Sequence, residues 1–339
     1  MPSACNVDLS TGSGRLGLSL MGRSRPNRTG KLNGYWQGGR CMSRRITDTH
    51  SHANWLGKDL DALVRNMDDH GIEKAWLLSW EIPQVEFDVE PYYYKSLDPR
   101  AIGMPLWMVV EGLKAYPDRF VGGWAPDFRD RHARSKLLQA VQMHGIKVYG
   151  ELKLRTRYDS ADGIAMYRYC GELGLPVVLH LECAEHVLAE ESRGPESWPP
   201  WYGGDISVLA TMCRLCPGTQ FLGHAPGFWR EISGDAASDP ERYSKGPITP
   251  NGRLLDLMRT YPNLNCDLSA GSAMTALNRD LKVTRAFFLE FQDRIVFARD
   301  SFGREQLDLL EALDLAEDIA AKVLHGNAER LVENAGKQA

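Results

Sequence analysis

From residue 46 onward the chain alternates between two patterns. Short runs of contiguous apolar residues are followed by stretches whose apolar positions recur every three or four residues. The first pattern predicts strands buried on both faces, and the second predicts helices with one apolar side. The first run, Ile46 to His52, is followed by a helix from Asp59 to Asp69, with Leu60, Leu63, Val64 and Met67 on one face and His70-Gly71 at its end. Further strands are expected at 74–79, 120–124, 146–154, 176–181, 220–224, 264–268 and 294–300. Helices are expected at 105–115, 133–143, 161–173, 205–215, 252–260 and 274–292, with two short ones at 305–312 and 316–323. Eight strands joined by helical connections predict an α/β fold, a (β/α)8 TIM barrel, as a single domain over residues 45–335. An open doubly wound sheet would carry Gly-x-Gly-x-x-Gly after its first strand, and none is there.

Residues 1–44 break this rhythm. They are rich in Gly, Ser, Arg and Asn, without sustained periodicity or a secretory apolar core. They are expected to be a flexible tail, or to precede a true start at Met42. The 339 residues are 43% hydrophobic and 25% charged, which is ordinary globular usage. Lys and Arg number 40 against 44 Asp and Glu, a net charge of −4. That balance offers no basic face to nucleic acid or to an anionic membrane. No apolar run approaches the roughly 18 residues of a membrane span. The 7 Cys are scattered, so reduced thiols in a cytoplasmic protein are expected. Cys213-Arg214-Leu215-Cys216 closes a helical pattern before Pro217-Gly218 and reads as a buried helix end, not a redox pair.

A barrel of this kind carries its chemistry at the carboxyl ends of its strands. The first strand ends in Asp48-Thr49-His50-Ser51-His52. Residues two apart share a strand face, about 6.5 to 7 Å apart along the backbone. His50 and His52 are therefore near enough to converge on one metal ion through bonds of roughly 2.0 to 2.1 Å. Asp48 is expected on the same face, one step deeper, as a packing or supporting residue. The fourth strand carries Glu151 and Lys153, the fifth ends in His180, the sixth in His224 and the eighth in Asp300.

Asp48-x-His50-x-His52, Val178-Leu179-His180, Gly223-His224-Ala225, Phe297-Ala298-Arg299-Asp300 and the closing Gly326-Asn327-Ala328, in that order, resemble the amidohydrolase superfamily of metal-dependent barrels. Within it they resemble the amidohydrolase-related branch that includes aminocarboxymuconate semialdehyde decarboxylase. The resemblance runs from about Arg45 to Val332. It implies a metal held by His50, His52, His180 and Asp300, with His224 binding a second metal or polarising substrate. The branch usually has a small residue where Arg299 stands, and this Arg either points away from the pocket or engages an anionic substrate. Three imidazoles and a carboxylate suit Zn²⁺, with Mn²⁺ or Fe²⁺ as alternatives. One ion fits the branch. Two would fit if Glu151 bridges, with His180 and His224, as a strand-four carboxylate does elsewhere in the superfamily.

The implied reaction is hydrolysis. A metal-activated water attacks a C–N amide or C–O lactone or ester bond of a small molecule, Asp300 carries the proton and His224 stabilises the oxyanion. The alternative on the same ligands is a non-oxidative decarboxylase or hydratase acting on a small cyclic or aromatic carboxylic acid. A barrel kept only as a binding scaffold is disfavoured by the intact ligand set. Lys153, Arg155, Trp80, Trp229 and Arg299 are candidates for substrate contact, although Lys153 could instead pair with Glu151. Aromatic and acidic loops after the second and fifth strands suit a small cyclic ligand. A homo-oligomer is implied by the resemblance. If residues 1–41 are dispensable, a chain beginning at Met42 will show the circular dichroism and activity of the full chain. Loss of folding on that truncation would overturn the expectation.

Overall fold

A computed structural model describes residues 45–83, 86, 101, 103–182 and 203–337. The expected tail at 1–44 lies outside them, as do most of the loop residues expected after the second and fifth strands.

The first half of the barrel runs β1 (Thr47–His52), α1 (Leu60–Asp69), β2 (Lys74–Leu78), α2 (Leu106–Ala115), β3 (Phe120–Gly123), α3 (Ala133–His144), β4 (Tyr149–Leu152) and α4 (Ala161–Glu172). The second runs β5 (Val177–His180), α5 (Ile206–Leu215), β6 (Phe221–His224), α6 (Pro226–Trp229), α7 (Arg253–Thr260), β7 (Leu264–Asp267), α8 (Ala270–Leu277), α9 (Leu281–Glu290) and β8 (Ile295–Val296). Three further helices, α10 (Glu305–Leu313), α11 (Glu317–Ala321) and α12 (Asn327–Val332), complete the described chain. Side chains of Asp59, Ser160, Asp205 and Asp280 cap α1, α4, α5 and α9 by accepting from backbone N–H groups of the first turn.

Neighbouring strands pair in parallel from β1 to β3 and from β4 to β8. Two backbone bonds join the halves: Lys147 N–H donates to Gly122 O and Trp124 N–H to Val148 O, both 2.9 Å. Two more return the end of β8 to β1, from Thr49 N–H to Phe297 O (3.0 Å) and from Asp300 N–H to His50 O (2.9 Å). The sheet therefore closes on itself as a (β/α)8 barrel. Trp76, Leu78, Val148, Val178, Leu222 and Val296 fill its interior, together with Ala328 and Leu331 of α12. A larger apolar layer lies between the strands and the surrounding helices. Arg45 ties the start of the barrel to its end, pairing with Glu73 (3.1 Å) and Glu329 (2.6 Å). Cys213 and Cys216 are buried free thiols at the end of α5, as the sequence predicts.

Three local features depart from the sequence reading. The helix expected at 274–292 is two, α8 and α9, because the Asp280 carboxylate caps Lys282 N–H and Val283 N–H (3.0 and 3.1 Å) and starts a new helix. A short helix not predicted from the sequence, α6, follows β6. Gly223 makes room for it, since a Cβ there would lie 2.4 Å from the Phe228 ring.

The third departure is in β1. Its pairing with β2 sets Asp48 opposite Ala75 and Ser51 opposite Leu77, so one extra residue is accommodated between them. Leu78 points into the barrel, and its partner His52 does too. Ala75 faces outward, and so does Asp48. Asp48 is thus on the face opposite the histidines, not on theirs as regular alternation would have it. There its carboxylate meets the Arg299 guanidinium at 2.7 Å, both side chains at 0% exposure, and also accepts from Arg299 N–H (3.0 Å) and His50 N–H (3.2 Å). Removing one partner of a buried ion pair strands the other charge, at a cost of about 3–5 kcal/mol. Asp48→Ala should lower unfolding stability by about that amount in urea titration. A change under about 1 kcal/mol would show that the pair is replaceable by water.

Candidate metal centre

The closed barrel brings the strand ends together. β1 contributes His50 and His52, β4 contributes Glu151, β5 His180 and β6 His224, while Asp300 follows β8. Glu151 sits at their meeting point. Its Oε1 lies 3.0 Å from His180 Nδ1 and 2.7 Å from His224 Nε2. Its Oε2 lies 3.5 Å from His52 Nε2 and 3.8 Å from His50 Nε2. Asp300 Oδ1 is 3.6 Å from His52 Nε2. Three sets of potential donors result among the described residues, His50–His52–Asp300, Glu151–His180–His224 and His50–His224–Asp267, each with atoms within 4.8 Å of one another.

The outer nitrogens of the first pair are fixed by acceptors. His50 Nδ1 faces Asp267 Oδ2 at 2.8 Å, and His52 Nδ1 faces the Leu78 carbonyl at 3.0 Å. An ionised carboxylate and a carbonyl can only accept, so each Nδ1 carries the proton and each Nε2 keeps its lone pair toward the barrel axis. His50 Nε2 and Asp300 Oδ1 are buried and have no hydrogen-bond partner. Buried polar atoms are rarely left so. Imidazole and carboxylate donors converging with unsatisfied lone pairs fit a divalent cation, and His50, His52, Asp300, Glu151, His180 and His224 are the residues that would hold it.

The charges agree with this fit. Burial by itself would raise the Glu151 pKa, but the surrounding imidazoles, His180 and His224 foremost, hold it well below the usual carboxylate range. Asp267 is likewise held low by His50 against the effect of burial. Burial disfavours the charged form of His50, yet Asp267 outweighs it and lifts the imidazole well above its ordinary value. His224 moves down, through burial and repulsion by His50.

The candidate substrate contacts separate. Lys153 and Trp80 come together, with Lys153 Nζ 3.8 Å from the centre of the Trp80 ring. Trp80 also meets Trp55 edge-on (6.0 Å), and Trp55 meets His52 (5.8 Å), so an aromatic wall leads from Lys153 to the ring of donors. Arg155 is buried, with its backbone N–H facing the Glu86 carboxylate at 3.3 Å. Two candidates need correction. Arg299 is committed to Asp48 on the outer face of the barrel and also donates to Asn66 (2.9 Å), so its guanidinium does not reach the mouth. Trp229 is wholly buried, and its indole N–H donates to the Asp267 carbonyl (3.0 Å), which leaves it no surface for a substrate. The aromatic residues expected at 92–94 and 198–202 lie outside the described residues.

Sequence reasoning passed over Asp267 and Ser269. Asp267 ends β7, and that position was the signal. Ser269 Oγ lies 3.3 Å from His50 Nδ1 and 3.1 Å from His224 Nδ1, and Ser269 N–H donates to Asp267 Oδ1 (2.7 Å). Glu182, at the start of the acidic and aromatic loop expected after the fifth strand, stands 3.5 Å from His180 Nε2.

Comparison with known proteins adds the following. A family model described as amidohydrolase matches residues 47–333. Among solved structures, a 2,6-dihydroxybenzoate decarboxylase from Rhizobium superposes with a TM-score of 0.53 at 20% identity, over 86% of this chain and 98% of that one. A dihydroxybenzoic acid decarboxylase from Polaromonas sp. JS666, with bound manganese and an inhibitor, gives 0.54 at 18% identity over 87% and 98%. A probable 2-pyrone-4,6-dicarboxylic acid hydrolase from Acinetobacter baumannii gives 0.53 at 11% identity over 85% and 99%. At these identities the likeness is one of fold, and it is to TIM-barrel proteins. A search of curated proteins finds no match. No helix among the described residues is long and apolar enough to cross a membrane.

Because Asp267 fixes the proton on His50, Asp267→Asn should leave the fold intact and weaken metal binding by about 10–100-fold, read by competition with a chromophoric chelator. Unchanged affinity would mean that His50 needs no such orientation.

Proposed function

This chain belongs to the amidohydrolase family, whose members are metal-dependent, and on that premise we propose that it is a hydrolase cleaving a C–N amide or a C–O lactone or ester bond of a small molecule. The observation that carries the proposal is the placement of Glu151. Its two carboxylate oxygens face different histidine pairs, His180 and His224 on one side and His50 and His52 on the other. A carboxylate so placed suits two ions, one taken by His50, His52 and Asp300, the other by His180 and His224. The sequence reading favoured a single ion; the proposal here is two, Zn²⁺ first, with Mn²⁺ or Fe²⁺ next. Ions held there supply Lewis-acid polarisation of a carbonyl and a water acidic enough to lose a proton near neutral pH.

The chain's own residues have distinct tasks. Asp300 keeps a carboxylate oxygen without a hydrogen-bond partner, on a side chain 17% exposed at the rim of the donor ring. It takes the proton from water and returns it to the leaving group. His224 is better placed as a ligand than as an oxyanion donor, since Glu151 and Ser269 occupy its two nitrogens. Lys153 stands just past the end of β4, two residues beyond Glu151, and offers its ammonium to a substrate carboxylate across the Trp80 ring. A second reading, loss of CO₂ from a small cyclic acid, draws support from the fold shared with dihydroxybenzoate decarboxylases. The same donors would serve it. A small-molecule substrate, a homo-oligomeric state and a cytoplasmic location complete the proposal.

Elemental analysis should find about two divalent ions per chain, and Asp300→Asn should cut turnover by about 10²–10⁴-fold while the fold persists. Incubation with lactones, amides and aromatic acids, followed by mass spectrometry, should show gain of water. Release of CO₂ instead would replace hydrolysis with the second reading, and a content near one ion would remove the bridging role of Glu151.

A further inference from the structure

The four imidazoles of the metal centre are not held equally. The side chains of His50, His52 and His224 are 1% exposed or less. Their outer nitrogens face Asp267, the Leu78 carbonyl and Ser269, which lie in or just past the barrel strands. His180, at the end of β5, is 12% exposed. Its Nδ1 faces Glu151 at 3.0 Å, and its outer nitrogen, Nε2, faces Glu182 Oε2 at 3.5 Å. Glu182 is 2% exposed and lies beyond the strand, so the sheet itself does not aim its carboxylate. Arg242 does. Its Nε donates to Glu182 Oε1 at 3.1 Å and its Nη2 to Oε2 at 2.5 Å, the two-point grip by which a guanidinium fixes the plane of a carboxylate.

Arg242 is carried by the long loop between α6 and α7. Gly234 N–H donates to the Thr249 carbonyl (2.9 Å) and Thr249 N–H to Ser233 Oγ (2.8 Å), which closes the loop at its neck. On one flank Arg230 donates to the Ala236 and Asp239 carbonyls. On the other, Arg279 donates to the Gly246 and Pro247 carbonyls, both at 2.8 Å. Compact loops whose ends meet in this way are frequently functional. The Arg242 side chain is 34% exposed, so it stands outside the packed core and can be changed without opening a cavity. Its guanidinium is what joins residues 234–249 to Glu182, and through Glu182 to a residue of the metal centre.

We propose that Arg242 is a positioning residue for the metal centre: through Glu182 it holds His180 in place, and loop 234–249 is thereby coupled to metal binding. With Arg242 docked, Glu182 accepts from His180 Nε2–H, and Nδ1 keeps its lone pair on the side of Glu151. With Arg242 withdrawn, the carboxylate loses its guanidinium and turns toward water, and His180 is free to rotate. The coupling runs both ways. Whatever factor the docked loop adds to metal affinity, bound metal adds to docking of the loop. This rests on the metal-centre reading, and the experiment separates the two.

Two measurements on the full chain test the coupling: Zn²⁺ affinity, by competition with a chromophoric chelator, and amide hydrogen exchange of residues 236–249 with and without Zn²⁺. Arg242→Ala should keep the native circular dichroism and weaken Zn²⁺ binding about tenfold. Arg242→Lys, which restores the charge without the two-point grip, should regain part of that loss. In a Glu182→Gln background, Arg242→Ala should weaken binding no further, because Arg242 acts through Glu182. Zn²⁺ should slow exchange in the loop of the native chain and leave it unchanged in Arg242→Ala. An ion pair that only stabilises the fold would lower the melting temperature of the metal-free Arg242→Ala protein and leave its Zn²⁺ affinity native, and that result overturns the proposal. So does a full further loss in the Glu182→Gln background, or loop exchange indifferent to Zn²⁺ in the native chain. In each of those cases the metal-centre reading stands. A native chain that takes up no Zn²⁺, Mn²⁺ or Fe²⁺ removes that reading and this proposal together.

Discussion

A carboxylate removed from water must be matched by nearby positive charge or by hydrogen-bond donors, because its desolvation is otherwise prohibitive. Glu151 is 3% exposed and has four imidazoles around it. Each imidazole comes from a different register position of the closed sheet, and none is close to Glu151 in sequence. The barrel is what allows this. A parallel sheet closed on itself turns every strand end toward one axis, so β1, β4, β5 and β6 can each place one or two side chains around a common point. The unsatisfied nitrogen of His50 and oxygen of Asp300 complete an arrangement short of a cation rather than short of protein contacts.

Holding that arrangement takes a second layer of interactions. Asp267 and Ser269 fix the far sides of His50 and His224, and the Leu78 carbonyl fixes His52. Behind β1, the Asp48–Arg299 pair accepts the backbone N–H of His50 and so ties the first ligand strand to the segment that carries Asp300. Buried ion pairs add little net stability compared with apolar packing, and registry is their better attested use. Here the pair sits where β1 takes up its extra residue. Charge pairing and backbone irregularity together aim His50 and His52 inward while Asp48 turns out.

Much of this was legible in the sequence. Strands buried on both faces leave contiguous apolar runs, and these marked the eight strands within a few residues. Residues at the ends of such runs could be gathered into one mouth once the barrel was recognised, which is how His50, His52, Glu151, His180, His224 and Asp300 were found. What stayed hidden depends on contacts distant in sequence. Regular alternation through Asp48, His50 and His52 gives no sign of the extra residue. Arg299 could be placed on either face until Asp48 was seen to claim it. Trp229 looked like a loop residue because α6 is only four residues long and carries no periodicity. Asp267 carries no local motif, and only the orientation of His50 gives it meaning. The apolar spacing of 274–292 continues across Asn278–Asp280, so a cap hidden inside it could not be separated from a continuous helix.

The floor of the barrel has a consequence for synthesis. Ala328 and Leu331, from the last described helix, are part of the packing inside the strands, and Arg45 at the barrel's start pairs with Glu329 beside them. The Asp48–Arg299 pair likewise spans 251 positions of chain. The early strands are therefore made long before the plug and the eighth strand that seal them. The ring of donors is thus completed only by the last part of the barrel to be made.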